Sequence, residues 1–210
     1  MSTKLKSLRL GILVPSLNTA LEPVTSAIIS QLSPNVTVHF SRFPVTKISL
    51  EPSALLQFDS YGPIMAAARL LADAHVDVIG WSGTSGGWLG FDEDERFCQA
   101  IKDELGVPAT TSTLALNRAL DLLEIKKFAL VTPEKILDRQ VKEVMEKGKG
   151  EVGAISTFCT NLTAAQRASK WEEEYGVPVL DTVSTVIWDM LRVKEYKKGA
   201  VKGWGKLFEL

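Results

Sequence analysis

The chain has 210 residues, of which 45% are hydrophobic and 23% charged, with a formal net charge of −1. This balance fits a soluble globular protein of one domain or two small lobes sharing a core, and it lacks the basic surface that nucleic acid or an anionic membrane requires. No apolar stretch is long enough to span a bilayer, the start has no signal-peptide hydrophobic region, and two cysteines cannot build a disulfide framework, so a cytoplasmic protein is expected.

In chain order, Leu8 to Val14 is a continuous apolar run that predicts a buried parallel strand, stopped by Pro15. Pro15-Ser16-Leu17-Asn18-Thr19 is turn chemistry, and Leu21 to Leu32 has helical spacing. Val36 to Phe40 alternates as a second strand. Phe58 to Ala74 predicts an amphipathic helix with Ile64, Met65, Ala68, Leu70 and Leu71 toward one side. Val76 to Trp81 is a third strand, followed by the glycine-rich turn Ser82-Gly83-Thr84-Ser85-Gly86-Gly87. A charged helix over Phe91 to Leu105 closes at Gly106, and its run Asp92–Glu95 is expected on a solvated face.

The pattern then repeats. Val107 to Thr110 is a short strand and Leu114 to Leu123 a helix. Lys127 to Val131 is a strand ended by Thr132-Pro133, Glu134 to Lys147 a helix, and Val152 to Cys159 a strand. Ala164 to Tyr175 predicts a helix, Val177 to Leu180 a strand, and Asp181 to Lys194 the last helix, with Asp181 or Thr182 as its N-cap. From Lys197 onward there is no clear period, and a loosely packed tail is expected. Alternating strands and helices argue for an α/β fold with mainly parallel sheets, in which ligands sit at the carboxyl ends of the strands. Pro15–Thr19, Gly83–Gly87, Thr132-Pro133 and Cys159-Thr160-Asn161 all fall there.

The residue types at those strand ends suggest chemistry. Thr84, Ser85 and the backbone N–H groups around Gly83 and Gly86 would cradle an anion, because glycine lets the backbone approach a ligand closely and hydroxyls donate to it. Ser16, Asn18 and Thr19 would hold a carboxylate, or cap a helix, and Thr160 and Asn161 read the same way. Cys159 would donate a proton or act as a nucleophile, with a helix beginning near Thr163 favouring its thiolate. The plain alternatives are a glycine-rich turn and a buried apolar cysteine. Cys98, in the charged helix, reads as packing. With no CxxC or HExxH spacing, no metal site is expected, and with no P-loop or GxGxxG motif, no nucleotide site.

Gly11-Ile12-Leu13-Val14-Pro15-Ser16-Leu17-Asn18-Thr19, Gly83-Thr84-Ser85-Gly86, Gly106-Val107-Pro108, Leu130-Val131-Thr132-Pro133 and Cys159-Thr160-Asn161, with Glu22-Pro23 and Ile187-Trp188, resemble the aspartate/glutamate racemase superfamily. The likeness is to its branch of maleate cis–trans isomerase and arylmalonate decarboxylase, and it runs from about residue 8 to about residue 193. It implies two pseudo-symmetric parallel-sheet lobes with the site between them. The first lobe would take residues 1–106, the second 107–196, with the last helix able to pack back on the first lobe, and residues 197–210 would form the tail. It further implies a small carboxylic-acid substrate and no metal, flavin, pyridoxal or nicotinamide cofactor.

Two departures stand out. The first-lobe cysteine that racemase and isomerase members place just before Thr-Ser is Gly83 here, as in the decarboxylase pattern. Between Thr132-Pro133 and Cys159 only one helix and one strand fit, so the second lobe is shortened; Glu134 stands where the family commonly has tyrosine. The resemblance therefore implies a decarboxylase of malonate-type acids, with an enediolate held by Thr84, Ser85 and backbone N–H groups and protonated by Cys159. Its alternatives are a maleate-type or racemase-like isomerase using Cys159, and a catalytically silent relative that binds a small acid or a partner. A shortened lobe exposing apolar surface would favour a homo-oligomer.

Overall fold

A computed structural model describes residues 7–45, 62–132, 137–148 and 150–210. Among these residues seven strands form two parallel sheets. The first has the order β2-β1-β3-β4, from β1 (Leu8–Pro15), β2 (Val36–Phe43), β3 (Val78–Trp81) and β4 (Ala109–Thr111). The second has the order β5-β6-β7, from β5 (Phe128–Val131), β6 (Ala154–Thr157) and β7 (Val179–Asp181). Among the described residues the first sheet has four strands and the second three. Every pairing is parallel, and register is continuous from Leu8 opposite Val36 to Pro15 opposite Phe43.

The helices cover these sheets: α1 (Leu21–Ile29), α2 (Gly62–Asp73), α3 (Gly86–Leu89), α4 (Phe91–Leu105), α5 (Ser112–Leu122), α6 (Leu137–Gly148), α7 (Ala168–Tyr175) and α8 (Thr182–Val193). Their ends follow local chemistry. Gly106 takes the left-handed conformation, φ 68°, that closes α4, as Gly176 does for α7 at φ 71°. Thr111 caps α5 by accepting from Leu114 N at 3.0 Å, and Asp181 caps α8 by accepting from Val183 N and Ser184 N at 2.9 and 3.1 Å.

The last helix belongs to neither surface. All ten residues from Thr182 to Leu191 are buried, as expected of a helix enclosed on every side. Gly80 of β3 lets it come close: a Cβ there would overlap Met190 Sδ at 2.5 Å and Val186 Cγ2 at 2.9 Å. One hydrophobic cluster accordingly joins Leu10, Ile12 and Val78 of the first sheet to Ala154 and Leu180 of the second through Val186, Ile187 and Met190. Two further clusters flank it, one under α2 and α4 around Ile79, Trp81, Phe97 and Ile101, the other between the second sheet and α7 around Ile155 and Trp171.

Several expectations need correction. The tail is not loosely packed: Val201, Leu207 and Phe208 are buried, and Gln31 ties its side chain to both backbone groups of Lys202. The Glu172 carboxylate also accepts from Lys206 N. Leu70 is exposed on the outer side of α2 rather than packed. Residues Ser30–Leu32 form a 3₁₀ turn rather than the end of α1, and the glycine-rich turn contains the short helix α3. Phe58 to Tyr61, Pro133 and Glu134 lie outside the described residues. No described helix is long and apolar enough to cross a membrane.

Candidate active site between the sheets

Parallel strands present their carboxyl ends on one side, and three polar loops gather there. The loop after β1 folds around Asn18, a buried residue whose Oδ1 accepts from Ala20 N at 3.0 Å and Leu21 N at 2.9 Å, in the turn leading into α1. Its Nδ2 donates to Thr160 Oγ1 at 3.2 Å, across 142 residues of sequence. Beside it Asn161 Oδ1 accepts from Thr19 N at 3.2 Å and Ala20 N at 3.4 Å. Ser16 is exposed, and its hydroxyl both accepts from Val45 N and donates to Val45 O, so it holds the end of β2. The structure thus brings Asn18, Thr19, Thr160 and Asn161 together, and leaves Ser16 one step outside.

The loop after β3 is shaped by three glycines. A Cβ at Gly83 would stand within 2.7 Å of three carbons of the Trp81 indole. One at Gly86 would overlap the Asp94 carboxylate, and one at Gly87 would overlap the Phe158 ring. Only glycine therefore lets this loop lie flat on all three neighbours. Thr84 and Ser85 are half-buried, and their hydroxyls make no hydrogen bond among the described residues. The N–H groups of Gly83, Thr84, Ser85 and Gly86 likewise donate to no described residue. Four backbone donors and two hydroxyls in succession are the kind of donor set that suits an anion.

The loop after β6 closes the site. Phe158 meets Trp88 edge-on, with centroids 6.2 Å apart and planes at 75°, and its ring lies against Gly87, so the residue before Cys159 packs on the glycine loop. Cys159 is a half-buried free thiol. The helix expected near Thr163 starts later, as a 3₁₀ turn at Ala165–Arg167 leading into α7 at Ala168. Helix-terminal charge acts within about one turn, so the field assigned to Cys159 from that helix is withdrawn. Cys98 sits on α4, where burial, and then the nearby Asp94 charge, push its thiol up to about 12.

Sequence reasoning placed Asp94 on a solvated face, and it is buried instead. Thr111 Oγ1 donates to its Oδ2 at 2.5 Å, and Gly86 packs on the carboxylate. Burial raises its pKa to about 6 against the lowering effect of the Thr111 hydrogen bond. A signal was present: Asp94, Phe97 and Ile101 share one helical stripe, and all three are buried. Asp181, which accepts from Thr157 Oγ1 at 2.6 Å, is raised to about 6 by the same desolvation. Asp189, fully buried on α8, takes Thr110 Oγ1 at 2.5 Å and Arg118 at 2.6 Å on Oδ2, and Arg192 at 2.7 Å on Oδ1. No group of three or more His, Cys, Asp or Glu side chains suited to a metal occurs among the described residues.

Solved structures share this architecture over nearly the whole chain. Maleate cis–trans isomerase of Nocardia farcinica bound to TRIS aligns with a TM-score of 0.82 at 22% identity, covering 96% of this chain and 98% of that one. Maleate isomerase Iso of Pseudomonas putida S16 with maleate gives 0.79 at 22% identity, over 97% and 98% of the two chains. A double mutant of arylmalonate decarboxylase in liganded form gives 0.80 at 18% identity, over 97% and 99%. The chain has the two-lobed α/β fold of these proteins. No protein-family model matches the sequence, and no curated protein matches it.

Proposed function

We propose that the protein is a cofactor-independent decarboxylase of malonate-type carboxylic acids. The observation that carries this reading is the packing of Gly83 on Trp81. It leaves Cys159 as the thiol available at the strand ends, since Cys98 lies on α4. Racemisation without a cofactor needs an acid on one face of the substrate carbon and a base on the other. Loss of carbon dioxide followed by a single protonation needs one acid only.

One substrate carboxylate would lie in the donors of residues 83–86 and the hydroxyls of Thr84 and Ser85. As the other leaves as carbon dioxide, its bonding electrons pass to the α-carbon and delocalise into the retained carboxylate as an enediolate. Donors aimed at that developing charge lower the barrier by about 3 kcal/mol each. The Cys159 thiol then gives its proton to the α-carbon, and the resulting thiolate recovers a proton from water. Asn18 and Asn161 hold the loops in register: both side-chain oxygens already accept from backbone N–H groups at the start of α1.

A second reading has its own support. A Cys-to-Ser variant of the Nocardia farcinica maleate isomerase holds a covalently bound succinylcysteine intermediate, so a cysteine other than the replaced one carries it; as a maleate isomerase this chain would have to use Cys159 as that nucleophile. Offering phenylmalonate and maleate in parallel separates the two. Phenylacetate with release of carbon dioxide supports the decarboxylase, fumarate the isomerase, and no product from either contradicts both.

A further inference from the structure

The two sheets repeat one arrangement, and the repeat sets Gly83 against Cys159. In the first, β3 lies beside β4, which runs directly into α5; in the second, β6 lies beside β7, which runs directly into α8. Gly83 stands two residues past the end of β3 at Trp81, and Cys159 two residues past the end of β6 at Thr157. Trp81 and Thr157 correspond as well: each is the last paired residue of its strand, opposite Thr111 and Asp181 respectively.

The paired positions are filled in opposite ways. In the second lobe Thr157 is small and turns its hydroxyl to Asp181 Oδ2 at 2.6 Å, and the side chain two residues on is the half-buried thiol of Cys159. In the first lobe the Trp81 indole fills that room. It is buried, with its ring 5.1 Å from that of Phe43 at 61°, and its six-membered ring occupies the space a side chain at position 83 would need. We propose that Trp81 is a specificity-determining residue: it closes the first-lobe face of the site to a second acid, so that the α-carbon exchanges a proton with Cys159 alone. The proposal rests on the reading of Cys159 as the proton donor, and it makes the product's configuration resistant to inversion once the proton is delivered.

The test has a steric arm and a catalytic arm. Overpacking destabilises a core, so Gly83→Cys in a wild-type background should lower Tm by about 4–8 °C. In a Trp81→Leu background the same change should cost less than half of that. For the catalytic arm, a single enantiomer of 2-phenylpropanoate is followed by NMR in deuterium oxide. Gly83→Cys alone should wash in deuterium no faster than wild type, while Trp81→Leu/Gly83→Cys should do so at least ten-fold faster with loss of optical purity. Equal Tm losses in both backgrounds, or rapid wash-in from Gly83→Cys alone, overturn the proposal. A wild type that fails to release carbon dioxide from methyl(phenyl)malonate counts against the proposed function instead, and the Tm comparison still decides whether the indole occupies the space. Should the double variant not fold, Trp81→Phe/Gly83→Cys answers the same two questions with less core volume removed.

Discussion

Asn18 donates to Thr160 at 3.2 Å while its own side-chain carbonyl accepts from Ala20 N and Leu21 N, so one buried amide holds the turn leading into α1 in the first lobe and grips the loop that carries Cys159 in the second. The two roles predict an outsized cost for a single substitution. Asn18→Ala removes the acceptor of Ala20 N and Leu21 N, worth about 1 kcal/mol, and leaves Thr160 buried without its donor, worth about another 1–3 kcal/mol. A fall in Tm of about 6–12 °C is expected, against a smaller fall for Thr160→Val, which keeps the turn bonds. Equal losses from the two variants in thermal unfolding would show that the turn bonds contribute nothing.

Burial of Asp94 gives stability a pH dependence with a definite sign. Its pKa rises from 3.8 to about 6 on folding, so the native state binds the proton more tightly than the unfolded chain. Its contribution is full below pH 4 and is lost as pH climbs through about 6. Asp94→Asn keeps an acceptor for Thr111 and has no charge to desolvate. Relative to wild type the variant should gain about 1–3 kcal/mol of unfolding free energy between pH 4 and pH 7 in urea titrations. A difference that stays constant with pH would contradict this account of the site.

Thr84 and Ser85 serve no described hydrogen bond in the fold, so their removal should separate chemistry from stability. Ser85→Ala and Thr84→Val should each leave Tm within about 2 °C and lower kcat for phenylmalonate by about 10²-fold. A large drop in Tm with unchanged kcat would move these residues from the site to the scaffold.

The tail offers a test of packing. Phe208 is 4% exposed against the central core, and Phe208→Ala should cost about 3–5 kcal/mol, a fall in Tm of about 8–15 °C. A loosely held tail would lose about 1 °C or less.

The two-lobed arrangement was legible through the family resemblance, and the strand ends and α/β class because apolar runs closed by Pro15, Gly83 and Cys159 mark buried parallel strands without any knowledge of contacts. The cap at Asp181 was legible for the same reason, since capping is local chemistry. What lay hidden depends on partners distant in sequence. Nothing adjacent to Gly83 says that the Trp81 ring folds back beneath it. Nothing within Asp92–Glu95 alone singles out the one carboxylate that meets Thr111 and Gly86. Leu70 looked like core because its neighbours Leu71 and Ala68 are. The helix placed near Thr163 failed because Asn161–Ala164 stays irregular before the turn at Ala165. The tail lacks a period because a 3₁₀ turn buries Leu207 and Phe208 side by side, a pattern neither α nor β periodicity reveals.

The claim at the centre of this account is that Cys159 delivers the proton. It is tested most directly by NMR of phenylmalonate turnover in deuterium oxide by wild type and Cys159→Ala, each shown to unfold cooperatively. The account predicts α-deuterated phenylacetate from the wild type and at least a 10³-fold slower reaction from the variant. Turnover at an undiminished rate by Cys159→Ala would contradict it.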